Sequence, residues 1–242
     1  RPFADAAGDD AYNVELKIDH TFRVYALACR ITEEESLDDR TARLVHIGAL
    51  FHDTGRFVQY QRYGVYNDAS TENHARLGVR ELLRKGILEG LPVKDRRVVL
   101  GCVFLHNVRH LPEGLRPLIK RVTGVVRDAD KLDILPIMLA HMNGSKPPNK
   151  VVTLGVAPHP TNYSSSMLEH FKRREVGSYT NMRWHNDFKL LNLTWIYDLN
   201  YQASRRILQE TGHIEELLNS LPHDPALDEV RAQVRQDLAE YL

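Results

Sequence analysis

Two cysteines in 242 residues are too few for a disulfide framework and supply no cysteine set for a zinc site. Cys29 and Cys102 each fall inside a helix-like apolar pattern and read as small core residues. No apolar run approaches the roughly 20 residues that span a bilayer, and no signal-peptide pattern is visible. The expected setting is therefore cytoplasmic, with no membrane partner. Net charge is also lacking, since Lys plus Arg and Asp plus Glu both number 32. A chain without excess positive charge is not built to coat extended nucleic acid or an anionic membrane, although a local basic cluster could hold one phosphorylated ligand. Internal repeats and low-complexity tracts are missing as well. The length allows one large domain or a core with an appendage.

What the chain has in quantity is histidine, twelve residues of it. Their placement matters more than their number. The stretch GALFHDTGRFVQY, Gly48 to Tyr60, sets His52 and Asp53 side by side where an apolar helix ends. A neutral imidazole and a carboxylate offer two ligands to a hard or borderline cation. Gly55 follows, where a left-handed residue could end the helix.

Residues Arg1 to about Asp10 read as a loose arm. From about Ala11 to Ile31 the pattern is helical, with Leu16, His20, Val24, Leu27 and Ile31 on one stripe and Val14, Ile18, Phe22 and Tyr25 on a second. Two stripes predict a helix buried on much of its circumference. A second helix, roughly Asp39 to Asp53, carries Leu44, Val45, Gly48, Ala49 and His52 on one face, with His46 elsewhere. The tyrosine-rich run FVQYQRYGVYND has no helical period and reads as a loop, with Arg62 its one basic residue. A third helix, capped by Ser70 or Thr71, carries His74 in its first turn beside Gly78 and Leu82. A fourth starts near Val93 and lines up Val99, Cys102, Val103 and His106.

The fifth helix begins near Pro117, a residue suited to a first turn. Ile119, Val122, Val126, Asp130, Ile134 and Ile137 share its face. A carboxylate within such a stripe is costly unless it is paired, protonated or bound to a cation. Asp128 and Asp133 lie off the stripe and read as solvated. Pro136 is expected to kink or break the helix. Four prolines between Asn143 and about Asn162 mark a connection, in which VVTLGV could form a short strand. Farther on, Leu191, Trp195, Leu199, Ala203 and Ile207 step by four, and Gly212 is placed to end that helix. Asp224 and Pro225 then open a last helix with Leu227, Val230, Val234, Leu238 and Tyr241 on its apolar face.

Alone, His20 reads as a core residue bonded to a neighbour, and His74, early in its helix, as solvent-facing. Together, apolar helical faces carry His20, then His52 and Asp53, then Asp130, with His74 and His106 between them. Crossing helices can bring such residues to one point. The mixture suits Fe, Mn, Co, Ni, Zn or Mg.

This ordered set resembles the HD-domain metal-dependent phosphohydrolase superfamily. His20 matches its first histidine, His52 and Asp53 its signature doublet, and Asp130, in ADKLD, its last aspartate. His74 and His106 match the two further histidines of branches that hold two metals. HDTGRFVQYQRY and STENHARLGV also resemble an uncharacterised bacterial branch. The resemblance implies an all-α fold, an HD-domain helical bundle with additional C-terminal helices. It divides the chain into a metal-binding core (1–142), a proline-rich connection (143–162) and C-terminal helices packing on the core (163–242). It implies hydrolysis of a phosphate ester, a nucleotide or another small phosphorylated metabolite, by water activated on divalent metal, with two ions expected and Fe or Mn favoured. Asp53 would bridge the two ions. Arg56 takes the place where many two-metal relatives carry Lys, and its planar fork suits phosphate; Lys131 is a second cation near the site. The chain lacks the GYP extension of cyclic-dinucleotide phosphodiesterases. A di-iron oxygenase of HD-domain type and a non-catalytic regulatory module are the alternatives, and a homo-oligomer is compatible with the sequence.

Overall fold

The structure, a computed structural model, describes residues 9–147 and 149–240. The N-terminal arm (1–8), Pro148 and Tyr241 lie outside them. The described chain is all-α: helices and turns carry it, no strand forms, and β pairing is limited to one isolated bridge between Ala157 and Trp184. The helices are α1 (Asp9–Glu34), α2 (Asp39–Phe51), α3 (Thr54–Tyr63), α4 (His74–Arg84), α5 (Val93–Leu105), α6 (Pro117–Met142), α7 (Leu168–Lys172), α8 (His185–Leu193), α9 (Gln202–Thr211), α10 (His213–Asn219) and α11 (Pro225–Glu240). Among the described residues no helix is long and apolar enough to cross a membrane.

Contacts divide the chain into two units, 1–133 and 134–242, so the division falls within α6. In the first unit α1 packs on α2, α2 on α5, α3 on α4, and α4 on α5. The inward stripe of α1 behaves as its spacing predicts, with His20, Val24 and Ile31 buried. The second stripe does not. Val14 is buried, but Ile18 is exposed and Phe22 is 61% exposed, so α1 is covered on one side only. Asp38 caps α2 by accepting from the Thr41 amide. Leu44, Val45, Gly48, Ala49 and His52 are all buried. Gly48 faces Cys102 and Val126, which ties α2 to α5 and α6.

The tyrosine-rich stretch is a helix and not a loop. α3 hides Gly55, Gln59 and Tyr60, an inward face with no aliphatic residue, which is why no apolar period shows. Gly55 does not end a helix; it lies in the first turn of α3 and is not left-handed. Its role is closeness: a Cβ there would come 1.8 Å from the His74 carbonyl oxygen and 2.5 Å from the Gly78 nitrogen. α4 is capped by Asn73, which accepts from the Arg76 amide, and not by Ser70 or Thr71. α6 continues past Pro136 to Met142, so the proline removes one helical hydrogen bond without ending the helix.

In the second unit VVTLGV forms turns, with no strand. The expected helix through Leu191 to Ile207 is two helices. α8 gives way to a 3-10 turn over Thr194–Asp198, Leu199 is extended, and α9 restarts at Gln202. All five stripe residues are nonetheless buried, so spacing by four survived the break. Gly212, left-handed at φ 68°, ends α9 as expected. α8 packs on α10, α9 on α10, and α7 on α11. Asp224 opens α11, accepting the amides of Leu227 and Asp228 through its carbonyl, and Leu227, Val230 and Val234 are buried.

Candidate metal centre

Four of the six candidate ligands sit at helix ends and two within long helices. His52 follows the last residue of α2, and Asp53 precedes the first residue of α3, so the doublet is the whole junction between two helices. Asp53 does not cap α3 with its side chain. Its carboxylate turns inward instead. His74 is the first residue of α4, and His106 closes α5 with its amide on the Cys102 carbonyl. His20 comes from α1 and Asp130 from α6.

These residues converge as two groups, His20, His52 and Asp130, and Asp53, His74 and His106; within each, one candidate ligand atom per residue lies within 4.8 Å of the others. His20 Nε2 is 3.1 Å from Asp130 Oδ1 and 3.4 Å from His52 Nε2. His74 Nε2 is 2.9 Å from His106 Nε2. Asp53 joins the groups. Its Oδ2 lies 3.5 Å from His20 Nε2 and 3.7 Å from His52 Nε2, while its Oδ1 lies 3.2 Å from His74 Nε2 and 3.7 Å from His106 Nε2. The His52 and His106 rings meet edge to face at 5.2 Å.

Every one of the four rings is held by its other nitrogen. His52 Nδ1 donates to the Ala49 carbonyl at 2.7 Å, and His106 Nδ1 to the Val103 carbonyl at 2.8 Å. Carbonyl oxygens only accept, so these rings carry their proton on Nδ1 and turn an Nε2 lone pair inward. His20 Nδ1 donates to Asp133 at 2.7 Å and His74 Nδ1 to Asp68 at 2.7 Å. Such outer partners fix tautomer and orientation in metal sites. Two inward lone pairs 2.9 Å apart repel unless positive charge lies between them. The chemistry of the donor set therefore fits a cation, and the residues present could hold two.

The electrostatics agree. Burial lowers the His52 pKa to about 4, which keeps its ring neutral at ordinary pH. Burial, with Arg56, also lowers that of His74. For His20, burial and Lys17 act downward, but the bonds to Asp130 and Asp133 outweigh them and raise its pKa. Burial alone would raise the Asp53 pKa, yet Lys17 and the surrounding imidazoles hold it well below the usual carboxylate range. Against burial, His20 first and then His52 likewise hold Asp130 low.

Sequence reasoning missed the residues that support this arrangement. Asp133 is buried and is not the solvated residue expected; it holds His20 and accepts from Arg23 Nε at 2.6 Å. Asp128 is buried too. Asp68 accepts from His74, the His74 amide, Gln59, Arg56 and Asn107. The Arg127 guanidinium, itself buried, donates to the carbonyls of His106, Val108 and Arg109 and so secures the end of α5. Lys17, one turn before His20, places Nζ 2.7 Å from Asp53 Oδ2. Arg56, which the sequence did single out, lies beside Asp53 with its side chain largely buried. Its NH1 donates to Gln59 at 2.7 Å, the Tyr66 carbonyl at 3.0 Å and Asp68 at 3.2 Å. Its Nε is buried without a hydrogen-bond partner, 3.7 Å from Asp53 Oδ1. His46 lies outside the cluster, bonded to Thr32.

Comparison with known families gives one finding. The family described as HD domain matches residues 18–135, a span that contains all six candidate ligands. No curated protein and no solved structure matches the chain.

Proposed function

We propose that this chain, which belongs to the HD-domain superfamily, is a metal-dependent phosphohydrolase acting on a nucleotide or another small phosphorylated metabolite. The observation that carries the proposal is the cluster of four inward Nε2 atoms and two carboxylates, each ring fixed from behind. His20, His52 and Asp130 would hold one ion and His74 and His106 a second, with Asp53 offering one oxygen to each. Fe or Mn suits this mixture of imidazole and carboxylate. Divalent metal held there lowers the pKa of water towards neutrality and neutralises phosphate oxygens.

The chain's own part is orientation and charge. Asp133, Asp68 and the carbonyls of Ala49 and Val103 keep the rings from turning. Arg56 is anchored through NH1, so its fork needs no rearrangement, and a phosphoryl oxygen would satisfy its unpartnered Nε. Charge developing on that oxygen in the transition state is stabilised by a donor already in place.

The test is to reconstitute the protein with Mn or Fe, measure metal by elemental analysis, and screen nucleotides and sugar phosphates without oxygen. Phosphate release by the loaded protein is expected, and Arg56→Ala should lower turnover on the order of a hundredfold or more at unchanged metal content. Turnover that requires dioxygen and releases no phosphate would overturn the reading, as would a protein that takes up no metal.

A further inference from the structure

We propose that Lys17 binds the substrate phosphate, on the Oδ2 side of Asp53, as Arg56 stands on the Oδ1 side. The inference rests on the phosphohydrolase reading above. It begins with position. The Lys17 side chain is 17% exposed and that of Asp130 is 19%, whereas His52 is fully buried and Asp53 is 5% exposed. Lys17 therefore belongs to the rim of the cluster, where an incoming ligand meets it.

The placement is enforced by a hydrogen-bonded set of residues on α1, α3 and the segment after it. Asn13 Nδ2 donates to the Tyr60 hydroxyl at 2.9 Å, Tyr60 donates to Asp10 at 2.7 Å, and Tyr66 donates to the Asn13 carbonyl at 3.0 Å. The Tyr60 and Tyr66 rings pack at 4.8 Å. Together they pin the first turns of α1 to α3 and to the segment after it. Lys17 follows Asn13 by one turn, and its ammonium lies 5.6 Å from the centre of the Tyr66 ring. The tyrosine-rich stretch thus fixes where the ammonium points.

The donor count supplies the rest. An ammonium carries three N–H groups. Lys17 makes one hydrogen bond, to Asp53 Oδ2. It can take a phosphate oxygen without giving up that bond. The rival explanation is that Lys17 only balances the charge of Asp53, and the two differ in what its removal changes. A charge-balancing lysine would alter metal uptake when lost; a phosphate-binding one would alter phosphate affinity at constant metal.

The experiment uses the full chain loaded with Mn, inorganic phosphate as the probe in calorimetry, and elemental analysis alongside. Lys17→Met is expected to weaken phosphate binding roughly ten- to a hundredfold, the range for a hydrogen bond to a charged group. Its metal content should match the wild type, KM for an accepted ester should rise more than kcat falls, and Lys17→Arg should recover binding in part. Should the Met variant fail to fold, Lys17→Gln carries the same test. Phosphate affinity equal to wild type would overturn the proposal, and so would loss of metal in step with loss of phosphate. Wild-type protein that takes up metal and binds no phosphate would overturn the phosphohydrolase reading first, which separates the two failures.

Discussion

Gly55→Ala should damage the site more than it damages the fold. The added Cβ would come 1.8 Å from the His74 carbonyl oxygen, 2.5 Å from the Gly78 nitrogen and 2.8 Å from the His74 carbonyl carbon. All three are backbone atoms, so no side chain can swing away. To reach even the 3.0 Å below which real Cβ contacts essentially never fall, α3 and α4 must part by at least about 1.2 Å. Alanine gains up to about 1 kcal/mol of helix propensity. Overpacking costs about 1–3 kcal/mol, and more when backbone is struck. The clash wins, and a net loss of about 2 kcal/mol would lower Tm by roughly 4–8 °C. The separation also opens the site, because Asp53 lies two residues before Gly55 and the struck carbonyl belongs to His74. Asp53 Oδ1 and His74 Nε2 are 3.2 Å apart. Metal–ligand distances tolerate only about 0.2 Å, so a shift of about 1 Å is decisive there. The assay is thermal unfolding by circular dichroism with elemental analysis of Mn-reconstituted protein. The variant should stay helical and lose metal first from the Asp53, His74 and His106 group. Gly78→Ala is the control, since its Cβ would meet Gly55 N at 3.2 Å and Val103 Cγ1 at 3.3 Å, a strain relieved by a few tenths of an ångström. A Gly55→Ala protein with wild-type Tm and metal content would refute the close-approach argument.

Three further outcomes are expected. Asp53→Asn and Asp130→Asn should lose metal and activity while remaining helical, and His74→Ala or His106→Ala should take metal content from about two equivalents towards one; full retention in any variant removes that residue from the ligand set. Asp68→Asn should weaken metal binding roughly ten- to a hundredfold through the freed His74 ring, read by competition with a chelator, and affinity equal to wild type would limit Asp68 to a structural role.

The parts of the fold that could be read in advance share a cause. α2, α4, α5 and the inner stripe of α1 bury aliphatic side chains at helical spacing, so their burial leaves a period. α3 buries a glycine, a glutamine and a tyrosine, and leaves none. The stripe from Leu191 to Ile207 misled in the other direction. A 3-10 turn and an extended residue happened to keep each apolar side chain inward, so a broken segment carried an unbroken period. Periodicity reports which side chains are buried, and only indirectly the backbone that buries them.

The same distinction explains which parts of the site were legible. The six candidate ligands lie on or beside apolar faces, so each appeared as a polar residue where an apolar one was due. Most of their supports did not appear, for two physical reasons, and one was legible. The supports of His52 and His106 are backbone carbonyls three residues earlier, which carry no sequence signal. Asp68 acts from an aperiodic segment, where spacing says nothing about direction. Asp133 was readable and was misread: it follows Asp130 by three residues, which on a helix is the neighbouring position of the same side. From there one aspartate reaches His20 Nε2 and the other His20 Nδ1. A carboxylate on a helical stripe is thus a reason to ask what the polar residues three and four positions away can reach. By that rule Lys17, three residues before His20, was the other residue to examine, and it meets the same cluster from the α1 side.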